Sequence, residues 1–270
     1  MGKVSVILGG GSGMGLEAAR FLPKDRTIVL AGRTASKLEH AADELASLGI
    51  DAVTHTADTS SRESIRALAE YAASLGAITN VINAAGLSPA MAEAEKIVRV
   101  NALGTVYVNQ EFSRLMEKGS AILDISSNSA YALPNFIIPR RSYPLAETDE
   151  DLFVQKVVKR SQLARTPYEK SGFAYAISKN FVVWYARKSA FGLGPRGIRV
   201  SSLSPGLVST GMGEREAEAG HQMIERAAEH RMGTPAELGF AIASCADERN
   251  GYLAGVDVLV DGGSTTRTWH

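Results

Sequence analysis

Short apolar runs recur along the chain, with polar, helically spaced stretches between them. The runs fall near 3–9, 27–31, 51–56, 78–83, 119–126, 197–204 and 254–260. Runs of this length suit strands buried on both faces, and the amphipathic stretches between the earlier ones suit helices that cover them. This alternation predicts an α/β fold, a doubly wound parallel sheet of seven strands in a single domain over 1–270. The ligand crevice is then expected at the carboxyl ends of the strands. Thr234-Pro-Ala-Glu237 predicts a helix start before the last strand, with a threonine cap, proline at the first helical position and glutamate at the third.

The first run leads into a glycine-rich turn containing Gly9, Gly11, Ser12, Gly13, Met14 and Gly15; Leu16–Leu22 then has helical spacing, and Pro23 ends it. A strand, glycine turn and helix in succession present backbone N–H groups to a pyrophosphate and let it approach without a Cβ in the way. The spacing is G-x-x-x-G-x-G, so the G-x-G-x-x-G fingerprint is absent. A P-loop is excluded as well, because no Lys-Ser or Lys-Thr pair follows the glycines. Far downstream, Tyr175 and Lys179 stand at i and i+4 of a helical run, where an ammonium can sit beside a phenol and favour its ionised form. A tyrosine with an ordinary pKa of about 10 becomes a usable acid or base there. Alone, such a pair is common on solvated helix faces.

With the intervening motifs added, the chain resembles the short-chain dehydrogenase/reductase family over nearly its whole length, which implies a Rossmann-like fold. Asp58 and Thr59 lie after the third strand, where the family contacts adenine, and Asn83-Ala84-Ala85-Gly86 matches the N-A-G signature after the fourth. Asn101 matches the catalytic asparagine, Ser127 the catalytic serine with Ser126 as an adjacent rival, and Tyr175 and Lys179 complete the set. Pro205-Gly206-Leu-Val208-Ser-Thr210 matches the segment that covers the nicotinamide, and Val258–Gly263 matches the last strand. The resemblance implies hydride transfer between a nicotinamide and a carbonyl or alcohol carbon. Tyr175 is then the proton donor in reduction, with Tyr131 and Tyr143 as next candidates. Lys179 holds the tyrosinate and the ribose, Ser127 donates to the substrate oxygen, and Asn101 holds a water that links the lysine to solvent.

The choice of cofactor is expected at the end of the second strand. An acid there would accept from a ribose 2'-hydroxyl and repel a 2'-phosphate, but this chain has Gly32, followed by Arg33 and Thr34, with Lys37 close behind. That pattern predicts NADP (NADPH) rather than NAD.

Two departures from the family layout stand out. Ser127 and Tyr175 are 48 positions apart, which inserts about 35 residues at 132–167. Pro134, Pro139 and Pro144 in its first part predict an extended loop, and Leu152–Leu163, with acids in the first turn, basic residues late and Thr166-Pro167 after it, predicts one amphipathic helix. The insertion is expected outside the core pattern, in the substrate wall. The second departure is a short stretch between Asn83 and Asn101. Together they are similar to the 3α-hydroxysteroid dehydrogenase/carbonyl reductase-like subgroup. A substrate lid is expected at 211–232, where Met212, Met223 and Met232 suit either an irregular apolar ligand or ordinary core filling. The helices that begin at Asn101 and Tyr175 commonly pair between subunits in this family; the insertion emerges between them, so a homodimer or homotetramer with an altered interface is expected.

Composition changes this picture little. With 29 basic and 29 acidic residues the chain carries no footprint for nucleic acid or anionic membrane. Cys245, the only cysteine, reads as core filler, and His221 and His230 lack metal-ligand spacing, so no metal is expected. The first strand starts within three residues of Met1, which leaves no signal peptide, and no apolar run has membrane-spanning length; the cytoplasm is the expected location. The activity expected is an NADP(H)-dependent reductase or dehydrogenase acting on a small-molecule carbonyl or alcohol, an apolar ketone or secondary alcohol of cyclic or steroid-like kind. The alternatives are a sugar alcohol or 3-hydroxyacyl substrate, or a non-catalytic NADP-sensing protein.

Overall fold

The computed structural model describes residues 2–210, 224, 225 and 227–265. Among these, seven strands form one parallel sheet in the order β3-β2-β1-β4-β5-β6-β7: β1 Lys3–Leu8, β2 Arg26–Gly32, β3 Ala52–Thr56, β4 Ala77–Asn83, β5 Ala121–Ile125, β6 Arg199–Pro205 and β7 Asp257–Val260. Each of the seven predicted runs holds a strand. The order reverses between β1 and β4, and such a switch point opens a crevice beyond the strand ends.

Helices cover both faces, as burial on both sides of β1 requires. On one face lie α1 Gly13–Phe21, α2 Ala35–Ser47 and α8 Pro235–Ala246, packed on Ile7, Ile28, Leu30 and Leu203. On the other lie α3 Arg62–Leu75, α4 Ala94–Val98, α5 Gly104–Ser113, α6 Glu150–Ser161 and α7 Pro167–Leu193, around Val4, Val6, Val81 and Val200. The capping box expected at Thr234 is formed: its hydroxyl accepts from the Glu237 amide at 3.2 Å, and the Glu237 carboxylate accepts from the Thr234 amide at 2.8 Å. Cys245 is buried in the same layer, as expected of core filler.

The insertion departs from expectation. Its first part is not an extended loop throughout, because Arg140–Glu147 forms a 3-10 helix with Pro144 inside it. Nor does it lie outside the core. Tyr143, Phe153 and Val157 are fully buried with Phe181 of α7; the Tyr143 and Phe181 rings meet edge-on at 5.1 Å, and the Tyr143 hydroxyl donates to Asn180 Oδ1 at 3.0 Å. Polar contacts then fasten the segment across α5 and α7. Glu150 takes the Tyr107 hydroxyl at 2.5 Å and pairs with Arg62 at 3.2 Å, and Glu147 takes the Tyr185 hydroxyl at 2.9 Å and pairs with Lys188. The expected amphipathic helix is formed as α6, and Thr166-Pro167 after it opens the next one: Thr166 and Glu169 form a capping box on α7, which carries Tyr175 and Lys179.

The expected lid at 211–232 lies largely outside the described residues, as do Met212, Met223 and His221. Among the described residues no helix is long and apolar enough to cross a membrane, and no group of His, Cys, Asp and Glu is arranged to hold a metal.

Candidate active site

The glycine turn is shaped by backbone contact more than by flexibility. A Cβ on Gly15 would stand 2.5 Å from the Gly9 carbonyl oxygen, and one on Gly9, where φ is +79°, would stand 2.9 Å from the Ala84 carbonyl carbon. Both positions therefore exclude a side chain. The turn, the start of α1 and the ends of β2, β3 and β4 enclose a crevice of about 510 Å3. Its walls include Gly9, Gly11, Ser12, Gly13, Met14 and Gly15, then Arg33, Thr34 and Lys37, then Asp58, Thr59, Ala84, Ala85, Gly86 and Thr210. The Asp58 carboxylate accepts the Ser60 amide and hydroxyl at 2.9 and 2.7 Å; burial works against its ionisation, but these bonds hold its pKa below the usual carboxylate range.

A smaller cavity of about 120 Å3 adjoins it through Met14, Ala84, Gly86, Leu87 and Thr210. Ser127, Tyr175, Lys179, Pro205, Gly206 and Val208 come together there. The two serines separate by their partners. Ser126 donates to the Lys179 carbonyl at 2.8 Å and so pins β5 to α7, whereas the Ser127 hydroxyl accepts the Ser129 amide at 3.1 Å at the cavity wall. The rival tyrosines are committed elsewhere: the Tyr131 hydroxyl donates to Asp257 at 2.6 Å, and Tyr143 is in the core.

Lys179 Nζ lies 5.7 Å from the centre of the Tyr175 ring and donates to the Ile125 carbonyl at 2.9 Å. Burial lowers its pKa to about 8, against the pull of the Asp124 carboxylate. Asn101 and Asn83 stand behind the walls. Asn101 sits in a π-helical turn, Arg99–Leu103, and its amide closes on Leu87 in both directions, accepting from N–H at 2.8 Å and donating to C=O at 3.0 Å. It also donates to Ser178 at 3.3 Å. A Cβ on Gly86 would lie 3.3 Å from Asn101 Oδ1 and 3.4 Å from Lys179 Nζ, so a glycine lets these two groups flank one loop. Asn83 instead donates to Asp124 at 3.1 Å and Thr105 at 3.3 Å, tying β4 to β5 and α5 beneath the crevice.

Asp124 is the residue that sequence reading left without a role. It is fully buried on β5 and accepts from Asn83 at 3.1 Å and from Asn109 at 2.8 and 3.1 Å, and it forms no ion pair with a described residue. Burial raises its pKa to about 7, although the two amides and the Lys179 charge pull it down. The available signal was an acid inside the otherwise apolar strand Ala-Ile-Leu-Asp-Ile.

Comparison with known proteins agrees with this geometry. The family model described as short chain dehydrogenase matches residues 3–138, and a second, described as enoyl-(acyl carrier protein) reductase, matches 155–265. The short-chain dehydrogenase/reductase bsc3 of Alternaria brassicicola is 27% identical, with 98% of this chain and 96% of that protein covered. A short chain dehydrogenase from Burkholderia cenocepacia in complex with NADP superposes with a TM-score of 0.77 at 20% identity, covering 98% of each chain. A 7α-hydroxysteroid dehydrogenase complexed with NADH and 7-oxo glycochenodeoxycholic acid gives 0.76 at 24% identity, with 97% of this chain and 94% of that one covered.

Proposed function

The chain belongs to the short-chain dehydrogenase/reductase family of oxidoreductases, and we propose that it transfers hydride between NADP(H) and an apolar ketone or secondary alcohol, with Tyr175 as the proton-transferring group. The observation that carries this reading is the convergence of Ser127, Tyr175 and Lys179 on one cavity continuous with the glycine-lined crevice. The crevice fits a dinucleotide on its own evidence: backbone approach at Gly9 and Gly15 leaves the turn bare, and α1 begins there without a side-chain cap on its first N–H groups. When bound, the nicotinamide supplies or accepts the hydride.

The chain's residues handle the proton and the oxygen. Ser127 holds the substrate oxygen by a hydrogen bond that strengthens as negative charge develops, and Tyr175 delivers its hydroxyl proton to that oxygen in reduction and takes it back in oxidation. Lys179, charged below a pKa of about 8, favours the tyrosinate that remains. Asn101 acts by holding the Leu87 backbone, which forms one wall of both cavities. Leu87, Met91, Leu207 and Val208 give that region an apolar lining, which favours an apolar carbonyl over a sugar.

Preference for the 2'-phosphate rests on Gly32, Arg33, Thr34 and Lys37. All four line the crevice, Arg33 and Lys37 are exposed and in no ion pair with a described residue, and the Thr34 hydroxyl is not used to cap α2. The relatives do not decide the matter, since one neighbour holds NADP and another NADH. Titration of both reduced cofactors is the test. NADPH should bind at least about tenfold more tightly, or about 1.4 kcal/mol, and Gly32→Asp should reverse the order; comparable dissociation constants would remove the assignment. A panel of cyclic and steroid ketones, followed by nicotinamide absorbance, then tests the substrate class against sugar alcohols and 3-hydroxyacyl esters.

A further inference from the structure

The insertion forms a second, open cavity whose lining differs in composition from the site above. It measures about 820 Å3 and is lined by one wall from Asn135 to Ser142 and another from α6 and the turn after it. Arg140 and Arg141 stand on the first wall, Lys156, Lys159 and Arg160 on the second, and among the described residues no acid lines either. All five are exposed, and none forms an ion pair with a described residue. The acids of the same segment are drawn away: Glu147, Glu150 and Asp151 pair with Lys188, Arg62 and Arg99 on the body of the protein, and Asp149 caps α6.

Lys159 and Arg160 lie in the last turn of α6, where cations interact favourably with the helix dipole. Lys156 lies a turn earlier, at the i, i+3 and i+4 spacing where like charges repel, and Arg140 and Arg141 open the 3-10 helix, at the end where positive charge is disfavoured. In a chain whose formal charge is zero, these positions concentrate charge at a local cost.

We propose that this cavity binds a soluble organic molecule carrying several phosphate groups. Two adjacent guanidinium forks match phosphate oxygens, and three cations on the opposite wall supply charge from the other side. The concave shape and a volume typical of small-molecule sites favour a compact ligand over a flat, charged membrane. Phe136 and Leu163 line the same cavity at 81% and 62% exposure, an apolar edge suited to the organic part of such a ligand. The walls are preformed, because the buried Tyr143, Phe153 and Val157 hold both elements against α7.

The test is calorimetric titration of the intact protein with tripolyphosphate and with metal-free adenosine triphosphate, the cofactor crevice being saturated with NADPH. A parallel titration uses the Arg33→Glu, Lys37→Glu variant, so that failure of the cofactor assignment leaves the result readable. Wild type and that variant should bind with the same affinity, weakened at higher salt, and Arg141→Glu combined with Arg160→Glu should weaken binding at least tenfold. Both substitutions are at exposed positions, and an unchanged melting curve would show that the fold survives. Absent binding, binding unchanged by the cavity substitutions, or binding lost in the Arg33 and Lys37 variant would overturn the proposal. Capture by phosphatidylserine vesicles without binding of either soluble phosphate would also overturn it, in favour of a membrane contact.

Discussion

Asp124→Asn removes the charge buried beneath Lys179 while keeping the shape of the side chain. The folded-state pKa of Asp124, about 7, lies above the ordinary aspartate value of 3.8. A group raised in this way contributes its full stability below the unfolded pKa and loses it as pH rises through the folded pKa. At ~1.4 kcal/mol per pH unit, the window from about 4 to 7 carries at most about 4 kcal/mol. Lys179 has the opposite sign. Its pKa falls from 10.5 to about 8, so its contribution is present above 10.5 and lost as pH falls through 8, outside the Asp124 window.

The variant should therefore change little against wild type at pH 4 and gain stability relative to it by pH 7.5, by roughly 1–3 kcal/mol once relaxation is allowed. The introduced amide brings a donor, and Asn109 Oδ1 is buried without a partner among the described residues, so a half-turn of the Asn109 amide would offer it an acceptor. Urea unfolding at the two pH values measures the difference directly, with equal slopes as the check on two-state behaviour. A constant stability difference across that range would refute the reasoning. Loss of the counter-charge should also lower the Lys179 pKa further, which moves the alkaline limb of the pH–rate profile toward neutrality.

Tyr175→Phe should leave NADPH affinity nearly unchanged and reduce turnover to a few per cent or less, whereas Lys179→Ala should weaken both; full activity in the phenylalanine variant would place the proton donor elsewhere. Gly15→Ala puts a Cβ 2.5 Å from the Gly9 carbonyl oxygen, so the turn must shift, and cofactor affinity should fall by tenfold or more in fluorescence titration. Deleting 133–166 should abolish folding, and the milder Phe153→Ala should cost about 3–5 kcal/mol in urea unfolding; a deletion variant that still binds NADPH would show the sheet to be independent of the insertion.

The fold was legible because most strands are short apolar runs, the edge strand β3 with its Thr-His-Thr being an exception, and because β1 leads directly into a turn that excludes side chains at Gly9 and Gly15. The candidate site was legible for a related reason: a parallel sheet gathers the strand ends, so Gly9, Asp58, Gly86, Ser127 and Pro205, far apart in sequence, reach one crevice. Side chains beneath the walls were not legible. The side-chain amide of Asn83 spans β4 and β5 to reach Asp124, a pairing that depends on three-dimensional register. Thr166-Pro-Tyr-Glu169 follows the amphipathic helix as expected, and it also opens α7 with the same capping pattern as Thr234.

The insertion is where local pattern reached its limit. Phe153, Val154 and Val157 mark an apolar stripe on α6, but a stripe does not name the surface that it covers. That surface was visible from the other side: Phe181-Val-Val-Trp-Tyr185 is apolar around the whole turn of α7, as expected of a helix enclosed on all faces. Family precedent placed another subunit against that helix. In this chain the covering is supplied in cis, with Tyr143 and Phe153 against Phe181 and with Glu147 and Glu150 fixed to Tyr185 and Tyr107. Tyr143, Phe153 and Phe181 are buried within this chain, so a neighbour could reach this face of α7 only by displacing the aromatic cluster, and a homo-oligomer formed through a different surface is the expected outcome.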